Sequence, residues 1–557
     1  MPTPRTMALA LRAVSLFFWA AAACPAMTAV AGTCPIPAGP VAVGTAQWNG
    51  WGGDIDNSRY QPEPAIRASD VSRLRFKWAF GYADRGSATE STTADSTSAV
   101  SAPPAAAAAV AAAGSTVDAQ PTVVDGRLFV TSATGRVSAI DAVTGCTYWT
   151  FDAAAGTRAA AVVGELKAPK KNLGPKKKFK QKKKDAHIDV EKPPSAVFFG
   201  DDKGAVYALD AQYGRLMWKT QADAHPLARI AGSPTLYKDR LYVPVSSSEE
   251  RAAVNPAYPC CTFRGSVAAL DIVTGQIVWR TFMTPEQPKP YKTNEAGTQL
   301  YAPAGMAVGS APAIDADNEL LYVAAGRANG DPPPAAANAI VALSLEDGKI
   351  AWIKQLPQSD AAVDFDSAMM LRNLSLTRKI LVAAPRSAEV FGLDPGRAGE
   401  ILWRSKLELA GAAGIQWGPA ADHRSVYLAF AAPHESAAAT ADGLVALDIA
   451  TGRLRWVAPP PPPPCSTPAN DCSHKQSQAV SVIPGIAFLG SMDGHLRGFS
   501  TIDGKILWDF DTARSYETAN GVPAKGGRLD RGGPVIVGGM MFVNSGDALL
   551  AFSLDGK

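Results

Sequence analysis

Hydrophobic and polar positions in this chain recur in one short unit, seen most cleanly in VALDIATGRLRW (445–456). An alternating apolar run enters a polar turn from Asp448 to Gly452, and a second alternating run leaves it and ends on Trp456. Period-two alternation on both sides of a short turn predicts a β-hairpin, with Gly452 supplying the residue that tolerates positive φ. The unit recurs as SAIDAVTGCTYW (138–149), YALDAQYGRLMW (207–218), AALDIVTGQIVW (268–279) and VALSLEDGKIAW (341–352). Two further copies are FGLDPGRAGEILW (391–403) and RGFSTIDGKILW (497–508). Copies spaced by roughly 50 to 75 residues predict a repeat architecture with about four strands per unit.

An eighth copy is divided between the two ends of the repeat region. The chain finishes on LLAFSLDGK (549–557), a first half with nothing after it, while RLRFKW (73–78) is a second half with nothing before it. Joining them predicts an all-β, eight-bladed β-propeller closed by N- and C-terminal strands, which leaves only short, protected sheet edges. Trp78, Trp149, Trp218, Trp279, Trp352, Trp403, Trp456 and Trp508 then occupy one position in each blade. A tryptophan can bury ~150–250 Å², so the series reads as a packing device between blades rather than as chemistry.

Composition adjusts this picture at the margins. Residues 1–31 carry Arg5, Arg12, an apolar run around Leu16–Trp19 and an Ala29-Val30-Ala31 site, which predicts a secretory signal peptide and a mature propeller over 32–557 in the periplasm. No other stretch reads as a membrane span. The six later cysteines suit an oxidising compartment. They suggest three disulfides whose connectivity the sequence does not fix; Cys465 and Cys472 bracket a short loop, and a ring between the adjacent Cys260 and Cys261 would leave Cys34 for Cys146. No CxxCH is present to attach a c-type haem, and no spaced CxxC pair to hold zinc. Two insertions, 83–118 and 164–194, lack periodicity and read as disordered loops. The second contains KKNLGPKKKFKQKKK (170–184). Without the ten lysines of 167–184, 54 basic residues become 44 against 51 acidic, so the formal charge of +3 becomes −7. The basic character belongs to one flap on an acidic body; export argues against nucleic acid as its partner.

Several stretches carry a family resemblance: WNGWGGDIDNSRYQP (48–62), DAHPLARI (223–230), CCTFRGSVAALD (260–271), AGIQWG (413–418), GSMDGHLRGF (490–499) and ILWDFDTARSYETANGVPAKGG (506–527). With the repeat, they make the chain similar to the eight-bladed quinoprotein dehydrogenases, and most of all to the polyvinyl alcohol dehydrogenase branch. The resemblance implies pyrroloquinoline quinone (PQQ) on the propeller axis, Ca²⁺ beside it, and oxidation of an alcohol to a carbonyl. That chemistry needs a base for the hydroxyl proton, a cation at the quinone oxygen, basic groups for the PQQ carboxylates and flat or sulfur-rich groups about its rings.

By that resemblance, VDFDS (363–367) implies Asp366 as catalytic base, with Asp364 as the alternative, and Arg386 in APRSAE as the cation at the quinone oxygen. Arg158 implies a carboxylate clamp, and Ser247, Gln416 and Trp417 imply pocket-lining positions. Glu250 at the end of LYVPVSSSEE implies the calcium ligand, with Glu249 as the alternative. Two stretches depart from the family pattern. Tyr301 and Gly309 stand where the family has tryptophans, the second of them the floor under PQQ, and Arg327 and Ala328 stand where an Asn or Asp binds calcium. The expected function is therefore a periplasmic PQQ-dependent alcohol oxidoreductase passing electrons to a separate acceptor such as a cytochrome c. The alternative is a propeller that has lost the quinone and serves the envelope as a binding scaffold.

Overall fold

The computed structural model describes residues 32–36, 41–44, 47–82, 119–166, 194–329, 334–357, 367–387, 389–407, 414–415, 417–431, 443–461 and 475–557. The signal segment, the first insertion, the lysine run, Asp331, Asp364, Asp366, Gln416, Cys465 and Cys472 lie outside them.

Each alternating pair of runs forms the last two strands of an antiparallel sheet, four-stranded in six blades and with one extra short strand in blades 3 and 6, and eight such sheets form a ring. Blades 1 to 7 span 122–152, 162–221, 235–282, 313–355, 370–406, 420–458 and 481–511. Blade 8 takes its inner three strands from 535–554 and its outermost from Leu74–Gly81, which pairs with Ala548–Leu554. The ring is thus closed between the halves of the divided repeat, and the eight-bladed architecture is present. The inner strand of blade 2, Val162–Glu165, reaches two residues into the stretch assigned to the second insertion. Gly164 and Glu165 therefore belong to the blade.

Eight apolar clusters hold the ring, one between each pair of adjacent blades. Third strands are buried nearly throughout, whereas fourth strands are largely exposed, with the tryptophan the more buried position between exposed neighbours. A one-residue bulge precedes the tryptophan in each blade; in blade 1, Ala139 faces Trp149 and Ile140 faces Thr147, leaving Tyr148 extra. The bulge re-aims the strand so that the indole leans onto the next blade. There its N–H donates to a turn carbonyl: Trp78 to Ala142 at 3.2 Å, Trp218 to Ile272 at 3.0 Å and Trp456 to Thr501 at 3.1 Å. Blade 5 has a longer turn through Pro395–Arg397, and the buried Trp352 N–H that should reach it has no hydrogen-bond partner among the described residues.

The stretch 48–62 crosses the axis and hydrogen-bonds to six innermost strands. Trp48 exchanges backbone bonds with Val123 at 2.9 Å, and the Asn49 amide pairs with the Val163 backbone at 2.8 Å. The carbonyls of Ile55, Asp56, Ser58 and Arg59 accept from Ile314, Leu371, Ala421 and Val482. Arg59 is fully buried. It donates to the carbonyls of Val480 and Trp51, to Gln120 Oε1 and to Ser481 Oγ. With no carboxylate beside it, burial pushes its guanidinium down to about 9. A disulfide between Cys34 and Cys146, with Cα atoms 5.5 Å apart, ties the N-terminal stretch to blade 1.

Candidate active site

Segments leading into the innermost strands converge at one end of the axis around a cavity of about 280 Å³. Arg158 comes from the approach to blade 2, Gly232 and Ser233 from blade 3, Gly309–Ala311 from blade 4, Ala368 from blade 5, Trp417 from blade 6 and Arg531 from blade 8. Blade 3 adds Ser246 and Ser247 from the end of its strand Arg240–Ser247, then the short helix Glu249–Ala252. Trp51, on the axial crossing, borders this cavity and a second one of about 350 Å³. Arg59 lies over its ring at 4.7 Å.

The lining is strongly cationic. Arg158, Arg229, Arg251, Arg327 and Arg531 all face the cavity. Asp202 lies behind two of them, 2.9 Å from Arg158 Nε and 3.4 Å from an Arg229 terminal nitrogen. Burial lowers the Arg229 pKa, and although Asp202 opposes the shift, the charges of Arg251, Arg158 and Arg531 add to it. Its Nε is buried without a hydrogen-bond partner among the described residues. A buried, unpaired guanidinium donor among like charges is a site built for an anion. Flat groups sit beside these charges. The Trp417 ring lies between Arg531 at 4.4 Å and Arg386 at 5.6 Å. The disulfide Cys260–Cys261 brings Cys261 to the cavity wall.

Of the residues singled out in the sequence, Arg158, Ser247, Glu250 and Trp417 line the cavity, as do Gly309 and Arg327. Arg386 is exposed and does not line the cavity itself, but faces the ring that does. Asp366 and Gln416 lie outside the described residues; Ser367, next to Asp366, is buried and bonds the Ala384 carbonyl. Sequence reasoning missed Trp51, Arg229, Arg251 and Arg531. The available signal was position: Arg531 precedes the inner strand of blade 8 much as Trp417 precedes that of blade 6.

The two adjacent glutamates part company. Glu249 is buried and its carboxylate accepts from the backbone N–H groups of Thr262 at 2.8 Å and Phe263 at 3.0 Å, and from the Tyr258 hydroxyl at 3.1 Å. It anchors the loop that follows the Cys260–Cys261 ring through both of its oxygens. Glu250 faces the cavity with its Oε2 3.7 Å from an Arg327 terminal nitrogen. Among the described residues, no three His, Cys, Asp or Glu side chains come together as a metal site.

A closed eight-bladed ring with a cation-lined pocket on its axis defines the class of the β-propeller dehydrogenases. The family model described as "Glucose/ethanol/alcohol dehydrogenase, beta-propeller domain" matches residues 48–406, and the chain belongs to this PQQ family, as an oxidoreductase of the quinoprotein alcohol dehydrogenase type. A second model, described as "Outer membrane protein assembly factor BamB", matches residues 386–557. The chain is 36% identical over 547 residues to a polyvinylalcohol dehydrogenase of a Pseudomonas species, covering 92% of this chain and 77% of that one. It is 34% identical to a polyvinylalcohol dehydrogenase of a Sphingopyxis species, covering 93% of this chain and 78% of the relative. Among solved structures, a quinohemoprotein alcohol dehydrogenase of Pseudomonas putida superposes with a TM-score of 0.62 at 17% identity, over 94% of this chain and 83% of that chain. That likeness supports the fold alone.

The cavity's residues fit one of the family's two groups. A flat polycarboxylate matches convergent arginines, two tryptophans and a disulfide. A calcium ion requires about six to eight oxygen ligands, and among the described residues it meets one exposed carboxylate, already facing a guanidinium.

Proposed function

We propose that the protein is an exported, PQQ-dependent oxidoreductase that oxidises secondary alcohol groups of the polyvinyl alcohol kind. The observation that carries this reading is the cluster of arginines around the unpaired Arg229 Nε, set at the axis of a chain whose relatives are named for that substrate. PQQ, when bound, supplies a two-electron acceptor for hydride from the alcohol carbon. The protein supplies everything around it. Arg158, Arg229 and Arg531 hold carboxylates, while Trp51, Trp417 and Cys261 flank the rings. Trp51 takes the part of the floor that Gly309 leaves bare. Asp366 accepts the hydroxyl proton, and Arg386, across Trp417, polarises the quinone oxygen. The Cys34–Cys146 disulfide supports an oxidising compartment, the periplasm. A separate acceptor, a cytochrome c, would take the electrons onward.

Replacing the base tests the assignment. Asp366→Asn should retain PQQ binding, read as quenching of tryptophan fluorescence, while dye-linked oxidation of a secondary alcohol falls by about 10²–10⁴-fold. Unchanged turnover in Asp366→Asn would move the base elsewhere, and a wild-type protein that leaves PQQ absorbance unaltered would remove the enzyme reading. The match of 386–557 to the BamB model favours the second reading, an envelope scaffold. It covers only the later blades, whereas four of the five cavity arginines, Arg158, Arg229, Arg251 and Arg327, belong to the earlier ones.

A further inference from the structure

Arg327 and Glu250 meet at the cavity wall in the place where the family resemblance calls for a calcium ion. Arg327 enters from the short strand pair Ala304–Gly305 and Ala328–Asn329, and Glu250 from the helix Glu249–Ala252. Their charged ends stand 3.7 Å apart, and both side chains are substantially exposed to the cavity mouth. Exposed pairs of this length add little to folding, so the pair's meaning lies in where it stands. Glu249 holds the loop amides, Ser247 Oγ accepts from the Glu249 N–H, and Ser246 Oγ donates to the Arg229 carbonyl, while the Ser310 hydroxyl, also in the lining, is buried without a partner among the described residues. Around them the lining carries five guanidinium groups against two carboxylates. A divalent cation brought here would sit against like charge with Glu250 as the one exposed carboxylate among the described lining residues, whereas a ligand with several carboxylates would meet its complement.

We infer that Arg327 replaces the metal: the site binds its polycarboxylate cofactor without calcium, with the Arg327 guanidinium, oriented by Glu250, supplying the positive charge at the reacting end. This rests on the PQQ reading for the identity of the cofactor but not for the want of a metal-ligand cluster among the described residues. The guanidinium presents paired N–H donors to an oxygen, so it can polarise without exchange. A metal can be stripped from its ligands; this group cannot.

The test has two arms. In the first, the apo protein, stripped with EDTA and dialysed, is titrated with Ca²⁺ by calorimetry without PQQ. The wild type should show no stoichiometric site, and Arg327→Asp, which removes the cation and adds an oxygen donor beside Glu250, should gain Ca²⁺ affinity at least tenfold. In the second, PQQ is titrated by fluorescence with EDTA or with Ca²⁺ present. The wild-type Kd should agree within twofold in the two conditions, and Arg327→Gln should weaken it about tenfold with unchanged far-UV circular dichroism. One equivalent of Ca²⁺ bound by the wild type, or PQQ binding that needs Ca²⁺, would overturn the inference. Absence of PQQ binding under both conditions would remove the proposed function instead, and the calcium arm would still decide this one.

Discussion

Glu249 and Glu250 are neighbours whose side chains do unrelated work. In the sequence they are interchangeable, two acids at the end of one strand. In the structure a single helical turn points one inward and the other to the cavity, since successive helical residues diverge by about 100°. Glu249 takes two backbone N–H groups, so Glu249→Ala should leave both donors without an acceptor and cost about 2–4 kcal/mol. Urea unfolding would read the loss, and faster hydrogen exchange at Thr262 and Phe263 would locate it. The individual site residues were legible only where a motif named them. Arg158, Ser247 and Trp417 reach the cavity, but Arg229 and Arg531 carried no local mark. Their meaning comes from convergence of loops over 300 residues apart, which no spacing rule encodes.

At the scale of the hairpin, the turn glycines answer two demands. Gly275 has φ of +70°, and a Cβ there would stand 2.5 Å from the Trp218 ring of the preceding blade. Gly297, in the hairpin of Lys289–Thr293 and Gln299–Ala302, has φ of +79° with nothing within 4 Å. Gly297→Ala should therefore cost about 1 kcal/mol, the left-handed penalty alone. Gly275→Ala adds a clash with a packed indole and should cost about 3 kcal/mol. Equal losses in paired thermal melts would count against the ring contact. The positive φ was readable from the turn sequence. The indole above it was not, because it belongs to the blade before. Trp352 shows the same coupling by exception: the turn beyond it is built differently, and its N–H goes unmet among the described residues.

For the molecule as a whole, closure was the most legible property, because half a repeat at each end can be completed only by the other. The axial crossing was quoted as a likeness and nothing more, since WNGWGGDIDNSRYQP has neither the period of a strand nor that of a helix. Its acids carry a consequence for stability. Burial, with the Asp54 charge beside it, raises the Asp56 pKa from 3.8 to about 7, against the opposing pull of Arg372 and Lys379. The folded protein thus keeps a proton that the unfolded chain gives up near pH 4. The contribution of this group is complete below that value and is lost as pH rises through 7. Thermal midpoints should decline from pH 5 to 8, and Asp56→Asn should flatten that slope; an identical slope in the variant would assign it to other groups.

Repeat proteins ordinarily gain and lose units easily, because each unit touches only those beside it. This ring has surrendered that freedom. One stretch of 15 residues spaces its carbonyls and amides to meet six different blades around a circle. Inserting or deleting a blade would change every angle the spoke is cut to, so the number eight is held at the hub as firmly as at the rim.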